Sequence, residues 1–165
     1  MGVLGISLLF VGITLIMNGI NRFIGTDARS SVFMNAVTGF VIVTANLIIL
    51  TKAAGAADYQ NAASGFLFGF TYIFIAANHI WGLDWRPFGW FSLMVVIYAV
   101  VMAAGSFGAD ARLGLLWSAW ALLWLEGFLE SGLGLPLSRV FPYLSIAEGV
   151  FAAFVPAVFM LTGTW

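Results

Sequence analysis

The chain has 165 residues, 62% hydrophobic and 8% charged, with a mean hydropathy of +1.06 and a formal net charge of −1. That much apolar surface does not fit a water-soluble fold of this size, whose exterior is already roughly 55–60% apolar. The weak net charge offers no electrostatic hold on nucleic acid, and the absence of cysteine excludes disulfide, thiol-redox and thiolate–metal chemistry.

A bilayer span takes about 20 residues, so the chain accommodates six helices and short loops as a single transmembrane domain over 1–165. The apolar runs are continuous, whereas barrel strands alternate over about 10 residues, so helices are expected. The first run, Val3 to Met17, continues to Asn18 and Gly19 with no basic leader and no Ala-x-Ala site. It reads as a span over 3–21 and not as a cleaved signal. Further spans are expected over 31–53, 62–81, 88–106, 112–131 and 140–162. Pro87 and Pro142 fall near helix starts, where proline is tolerated. Pro156 falls inside the sixth span and should kink it. Arg22, Arg29, Arg86 and Arg139 lie in the loops after odd spans, against Lys52 and Arg112 in the loops after even spans. The positive-inside rule then puts the odd loops in the cytoplasm and both termini outside.

The odd loops resemble one another. Asn21-x-x-x-Gly25-Thr26-Asp27-x-Arg29 is followed by Asn78-x-x-x-Gly82-Leu83-Asp84-x-Arg86 and by Glu130-x-x-x-Gly134-Leu135-Pro136. Glycine suits the end of one helix, and aspartate or proline suits entry to the next. The expected fold is therefore an all-α integral membrane protein, with six transmembrane helices arranged as three parallel-repeat hairpins around a pore.

Three tryptophans, Trp117, Trp120 and Trp124, share one face of the fifth span within roughly 60° of arc. Tryptophan normally gathers at the bilayer interfaces, so a stripe running through the depth implies protein packing or the wall of a path. Glu148 lies well inside the sixth span with no Lys or Arg at matching depth. A charge there costs about 2.5–3.5 kcal/mol on insertion scales and generally faces a polar cavity or a partner helix. Glu126 and Glu130 have a phase opposite the stripe and read as structural groups near the helix end. In the third span Phe66, Phe70 and Phe74 form an aromatic face, and Gly65-x-x-x-Gly69 suits close helix contact. The single histidine, His79, has no metal-ligand spacing around it, and neither a nucleophile triad nor a Walker glycine loop is present. No cofactor and no enzyme activity is expected.

Several blocks together are similar to the AmiS/UreI family of urea and short-chain amide channels. They are Leu8 to Gly19, Gly65 to Tyr72 continuing through Asn78-His79 to Gly82-Leu83-Asp84-Trp85-Arg86-Pro87, then Trp117-x-x-Trp120-x-x-Leu123-Trp124-Leu125, and Ala147-Glu148-Gly149. The resemblance implies six helices per protomer, a homohexamer with one pore in each protomer, and passive flow of a small neutral amide across the cytoplasmic (inner) membrane. Residue by residue, it implies constrictions at Val11, Leu15, Phe70, Phe74, Trp117, Trp120, Leu123, Trp124 and Glu148. Phe74 then stands where acid-gated members have tyrosine, and Leu113 where they have tryptophan. Those members also carry long external loops rich in histidine. Here the external loops, Ala54–Asn61 and Phe107–Ala111, hold Asp58 and Asp110 but no histidine, so gating by external acid is not expected. In the expected mechanism, indole N–H groups donate to the amide oxygen and Glu148 accepts from its N–H groups. The alternative is a proton-coupled amide or urea transporter using Glu148.

Overall fold

The computed structural model describes residues 2–165. Six helices are each long and apolar enough to cross a membrane: α1 Gly2–Ile24, α2 Ala28–Thr51, α3 Ala56–Trp81, α4 Arg86–Ser106, α5 Ala111–Gly132 and α6 Phe141–Thr162. At 1.5 Å per residue each reaches the roughly 30 Å of a hydrocarbon core. α3 begins six residues before the expected start. The Asp58 carboxylate accepts from the backbone N–H groups of Ala54 and Gly55 at 3.0 and 3.3 Å, which caps the helix end and absorbs most of the expected external loop.

The odd-loop repeat has a structural basis. Gly25, Gly82 and Gly134 adopt φ values of +71°, +61° and +72°, a left-handed conformation that costs other residues about 1–2 kcal/mol. In the first two loops an aspartate then receives the backbone N–H two residues on: Arg29 to Asp27 at 2.8 Å and Arg86 to Asp84 at 2.9 Å. The third loop has Pro136 in place of the aspartate, and its helix begins later, at Phe141, with Pro142 in the first turn. The Arg86 guanidinium also pairs with Asp84 and holds that exposed carboxyl down to about 2.

The unit of packing differs from the loop-defined hairpin. The extensive helix pairs are α2 on α3 and α4 on α5, which the even loops join, and α6 on α1, which closes the ring with the largest contact of the three. Glycines allow these approaches. A Cβ on Gly12 would lie 2.7 Å from the Phe154 nitrogen and 2.8 Å from the Gly149 oxygen, and one on Gly39 would lie 2.9 Å from the Gly69 oxygen. The Gly65/Gly69 pair singled out in the sequence faces α2, through Asn46 and Val43. In the even helices Asn35, Ser92 and Ser145 recur at intervals close to the repeat length, and all are fully buried. Asn35 exchanges two hydrogen bonds with Asn18 at 2.9 and 3.1 Å, while Ser145 donates to the Leu15 carbonyl at 2.8 Å. With no hydrophobic driving force between helices in lipid, close backbone contact and such hydrogen bonds supply the association.

Candidate functional site

Two cavities penetrate the bundle from its opposite ends. One, of about 560 Å³, opens at the odd-loop end among Asn18, Asn21, Arg22, Thr26, His79 and Glu130. The other, of about 680 Å³, opens at the even-loop end among Asn46, Asp58, Asn61 and Ser106. Phe68 and Trp120 line both cavities, so the two abut at that pair. Their rings meet edge to face, with centroids 4.9 Å apart. Phe68 also meets Trp124 at 4.7 Å and Trp117 at 6.0 Å, so one phenyl ring of α3 lies along the whole tryptophan stripe. Edge-to-face pairs of this kind contribute about 0.5–1.5 kcal/mol each beyond the area they bury.

The walls come chiefly from the odd helices. From α1, Val11 lines the even-loop cavity and Leu15 the odd-loop cavity. From α5, Trp117 and Leu113 lie on the even-loop side, while Leu123 and Trp124 lie on the odd-loop side. α3 contributes Phe68, Thr71, Tyr72 and Ile75. Phe70 and Phe74 line neither cavity, which corrects their expected placement. Phe70 is 47% exposed and stacks on Phe66 along the outer surface, and Phe74 packs against Phe88 and Phe91 of α4. The reason is phase: residues two apart on a helix point about 200° apart, so α3 has an outward and an inward aromatic face. The inward face carries a tyrosine of its own, Tyr72.

Two of the three indole N–H groups are already engaged. Trp124 donates to the Thr71 hydroxyl at 3.2 Å, and Trp120 donates to the Ala152 carbonyl at 3.0 Å. Neither is free to donate to a solute, which corrects the expected role of the stripe. Glu148 is buried in α6, both carboxylate oxygens lack a hydrogen-bond partner, and it lies within electrostatic reach of Tyr72. It lines neither cavity.

Glu126 also departs from its expected place opposite the stripe. It is buried, it lines the odd-loop cavity together with Trp120 and Trp124, and its Oε1 has no partner. Glu130 forms an ion pair with Arg22 that joins α5 to α1 across the cavity mouth, and the Arg22 guanidinium lies 4.7 Å above the Phe141 ring. At the other end Asp110 accepts from Arg112 and from the Trp165 indole, both at 3.1 Å. Those bonds, led by the one from Arg112, hold the Asp110 carboxyl below its ordinary range. No group of three or more His, Cys, Asp or Glu side chains able to hold a metal ion occurs among the described residues.

Helical walls, polar mouths and an aromatic junction define a multi-pass membrane protein of the channel or transporter class. The chain belongs to the AmiS/UreI family of transporters, whose sequence pattern matches residues 3–164. It is 37% identical to the acid-activated urea channel of Helicobacter pylori strain J99, over 98% of this chain and 99% of that protein. It is 36% identical to a Mycolicibacterium smegmatis protein assigned as an amidate substrates transporter, over 98% of this chain and 78% of that one. The fold is similar to that of the H. pylori urea channel solved by cryo-electron microscopy in a closed state, with a TM-score of 0.91, 36% identity and coverage of 98% of this chain and 99% of that one. The crystal structure of the H. pylori channel gives 0.89 at 38% identity with the same coverage.

Proposed function

We propose that the protein is a passive channel for urea or short-chain aliphatic amides, with an aromatic-lined path through each protomer. The observation that carries this reading is the meeting of two opposed cavities at Phe68 and Trp120. A slot bounded by flat rings admits a flat neutral solute and excludes a hydrated ion, whose water is costly to remove in an apolar passage. The names of the relatives, a urea channel and an amidate transporter, supply the solute class.

At the Phe68–Trp120 junction free donors and acceptors are sparse, as flow requires, because tight binding slows release. The Trp120 and Trp124 indoles act as shaped walls. The Tyr72 hydroxyl, with no protein partner among the described residues, is placed to donate to an amide oxygen. Glu148, buried with two unpartnered oxygens, is assigned the role of accepting from amide N–H groups. Asn18, Asn21 and His79 give the odd-loop cavity a polar lining.

External acid does not gate this path. The even-loop connections hold Asp58 and Asp110 and no histidine, and Asp110 is held ionised by Arg112. The chain works as a homohexamer in the cytoplasmic membrane with both termini outside. The family resemblance supports the assembly, and the surplus of arginine at the odd-loop end supports the orientation. Stopped-flow light scattering of proteoliposomes tests the reading. Urea and acetamide should enter faster than into protein-free vesicles, with no steep rise between external pH 7 and 5. Unaccelerated entry would refute the channel. Accumulation above equilibrium under an imposed pH gradient would replace it with the proton-coupled alternative.

A further inference from the structure

The Val155 N–H reaches back five residues to the Val150 carbonyl, and α winding with its four-residue reach resumes at Val155. The carbonyls of Phe151, Ala152 and Ala153 therefore share the single N–H of Ala157, because Pro156 has none. An unpartnered carbonyl within a bilayer is costly, so it demands another donor. That donor comes from a different helix: Trp120 Nε1 reaches the Ala152 oxygen at 3.0 Å, and both residues are at least 96% buried. The backbone here departs from the α-helix. Gly149–Phe154 is wound as a π-helix, and regular winding resumes at Val155. π-segments concentrate at functional positions. The carbonyl is also firmly seated, because the neighbouring Phe154 backbone lies so close to Gly12 that a Cβ there would sit 2.7 Å from its nitrogen.

Trp120 is the ring that both cavities share, edge-on to Phe68. Pro156 lines neither cavity. We propose that Pro156 is a positioning residue for solute selectivity: it frees the Ala152 carbonyl, the carbonyl fixes the Trp120 indole, and the indole sets the width of the junction. The inference rests on the channel reading above. It predicts that solute size is discriminated by a helix break outside the path.

The test is a double-mutant cycle with a spectroscopic arm. Pro156→Ala restores a backbone donor that competes with the indole for the same oxygen. In proteoliposomes the propionamide-to-urea permeability ratio should rise about fivefold, the population change that one net hydrogen bond supports. In the Trp120→Phe background, where no indole remains to release, Pro156→Ala should change that ratio less than twofold. An equal effect in both backgrounds would show that the kink acts by another route and would overturn the proposal. In protein labelled with 5-fluorotryptophan, the Trp120 resonance, assigned by its loss in Trp120→Phe, should shift in Pro156→Ala, and a fixed resonance would overturn the proposal. If Pro156→Ala does not fold, the unsubstituted protein still decides. Its Trp120 indole proton should be among the slowest of the seven to exchange with deuterium, and fast exchange refutes the bond. An unsubstituted protein that passed no amide would refute the channel, whereas the resonance and exchange results judge the lock by themselves.

Discussion

Replacing Gly12 by alanine places a methyl group 2.7 Å from the Phe154 nitrogen and 2.8 Å from the Gly149 oxygen, where ordinary contact begins at 3.4 Å. Both obstructing atoms are backbone, so no side chain can swing aside. α1 and α6 must separate instead, and overpacking of this kind costs about 1–3 kcal/mol. The displacement also carries Val11 and Leu15 away from the tryptophan stripe, so discrimination against longer amides should weaken. Unfolding in mixed detergent micelles titrated with SDS measures the first effect, and proteoliposome permeability measures the second. Gly2→Ala is the control, because a Cβ there meets nothing within 4 Å. A Cβ on Gly149 meets the same crossing from the other side, 2.8 Å from Ile16 Cγ1 and 3.1 Å from the Gly12 oxygen. The double substitution should therefore cost less than the sum of its parts, since the first already parts the helices. Gly12→Ala as stable as Gly2→Ala would refute the argument from close approach.

Glu148→Gln should fold at least as stably as the parent, because it removes a buried acid that has no partner, and it should lower urea permeability by up to about tenfold through the loss of one acceptor oxygen; unchanged permeability would remove Glu148 from the path. The Asp84 carboxyl is depressed by Arg86, so its contribution to capping α4 is present above the ordinary carboxyl range and is lost only as pH falls through about 2. Carbon-13 NMR of the labelled carboxyl should accordingly show no titration between pH 7 and 4, and a midpoint near 4 would contradict the ion pair.

Hydropathy made the six spans legible, because each helix must satisfy its own backbone across the bilayer. The start of α3 was not legible, because Asp58, Gln60 and Asn61 have the composition of a loop while Asp58 in fact caps the helix. The tryptophan stripe was legible from spacing alone. The facing side of α3 was misjudged because Phe66, Phe70 and Phe74 are the more conspicuous set. A better signal was available. Ser64, Thr71 and Asn78 recur every seven residues, all are buried, and polar groups in a membrane helix face the bundle interior. They mark the side that carries Phe68, Tyr72 and Ile75. The partner of Trp120 was beyond sequence reading, because a backbone carbonyl 32 residues away has no residue-type signature. Pro156 was its one trace, and that was read only as a kink. Glu126 was set aside on helical phase, yet the cavity is broad enough to take in both it and the stripe.

The central claim is that solute passes between the tryptophan stripe and the inward face of α3. The chain contains no cysteine, so a single introduced thiol reports without background. Urea permeability should be measured in proteoliposomes before and after methanethiosulfonate labelling of Ile75→Cys, on the inward face, and of Phe70→Cys, on the outward face. The account predicts that labelling blocks the first and leaves the second unchanged. Block at position 70 with free flow past a labelled position 75 would contradict it.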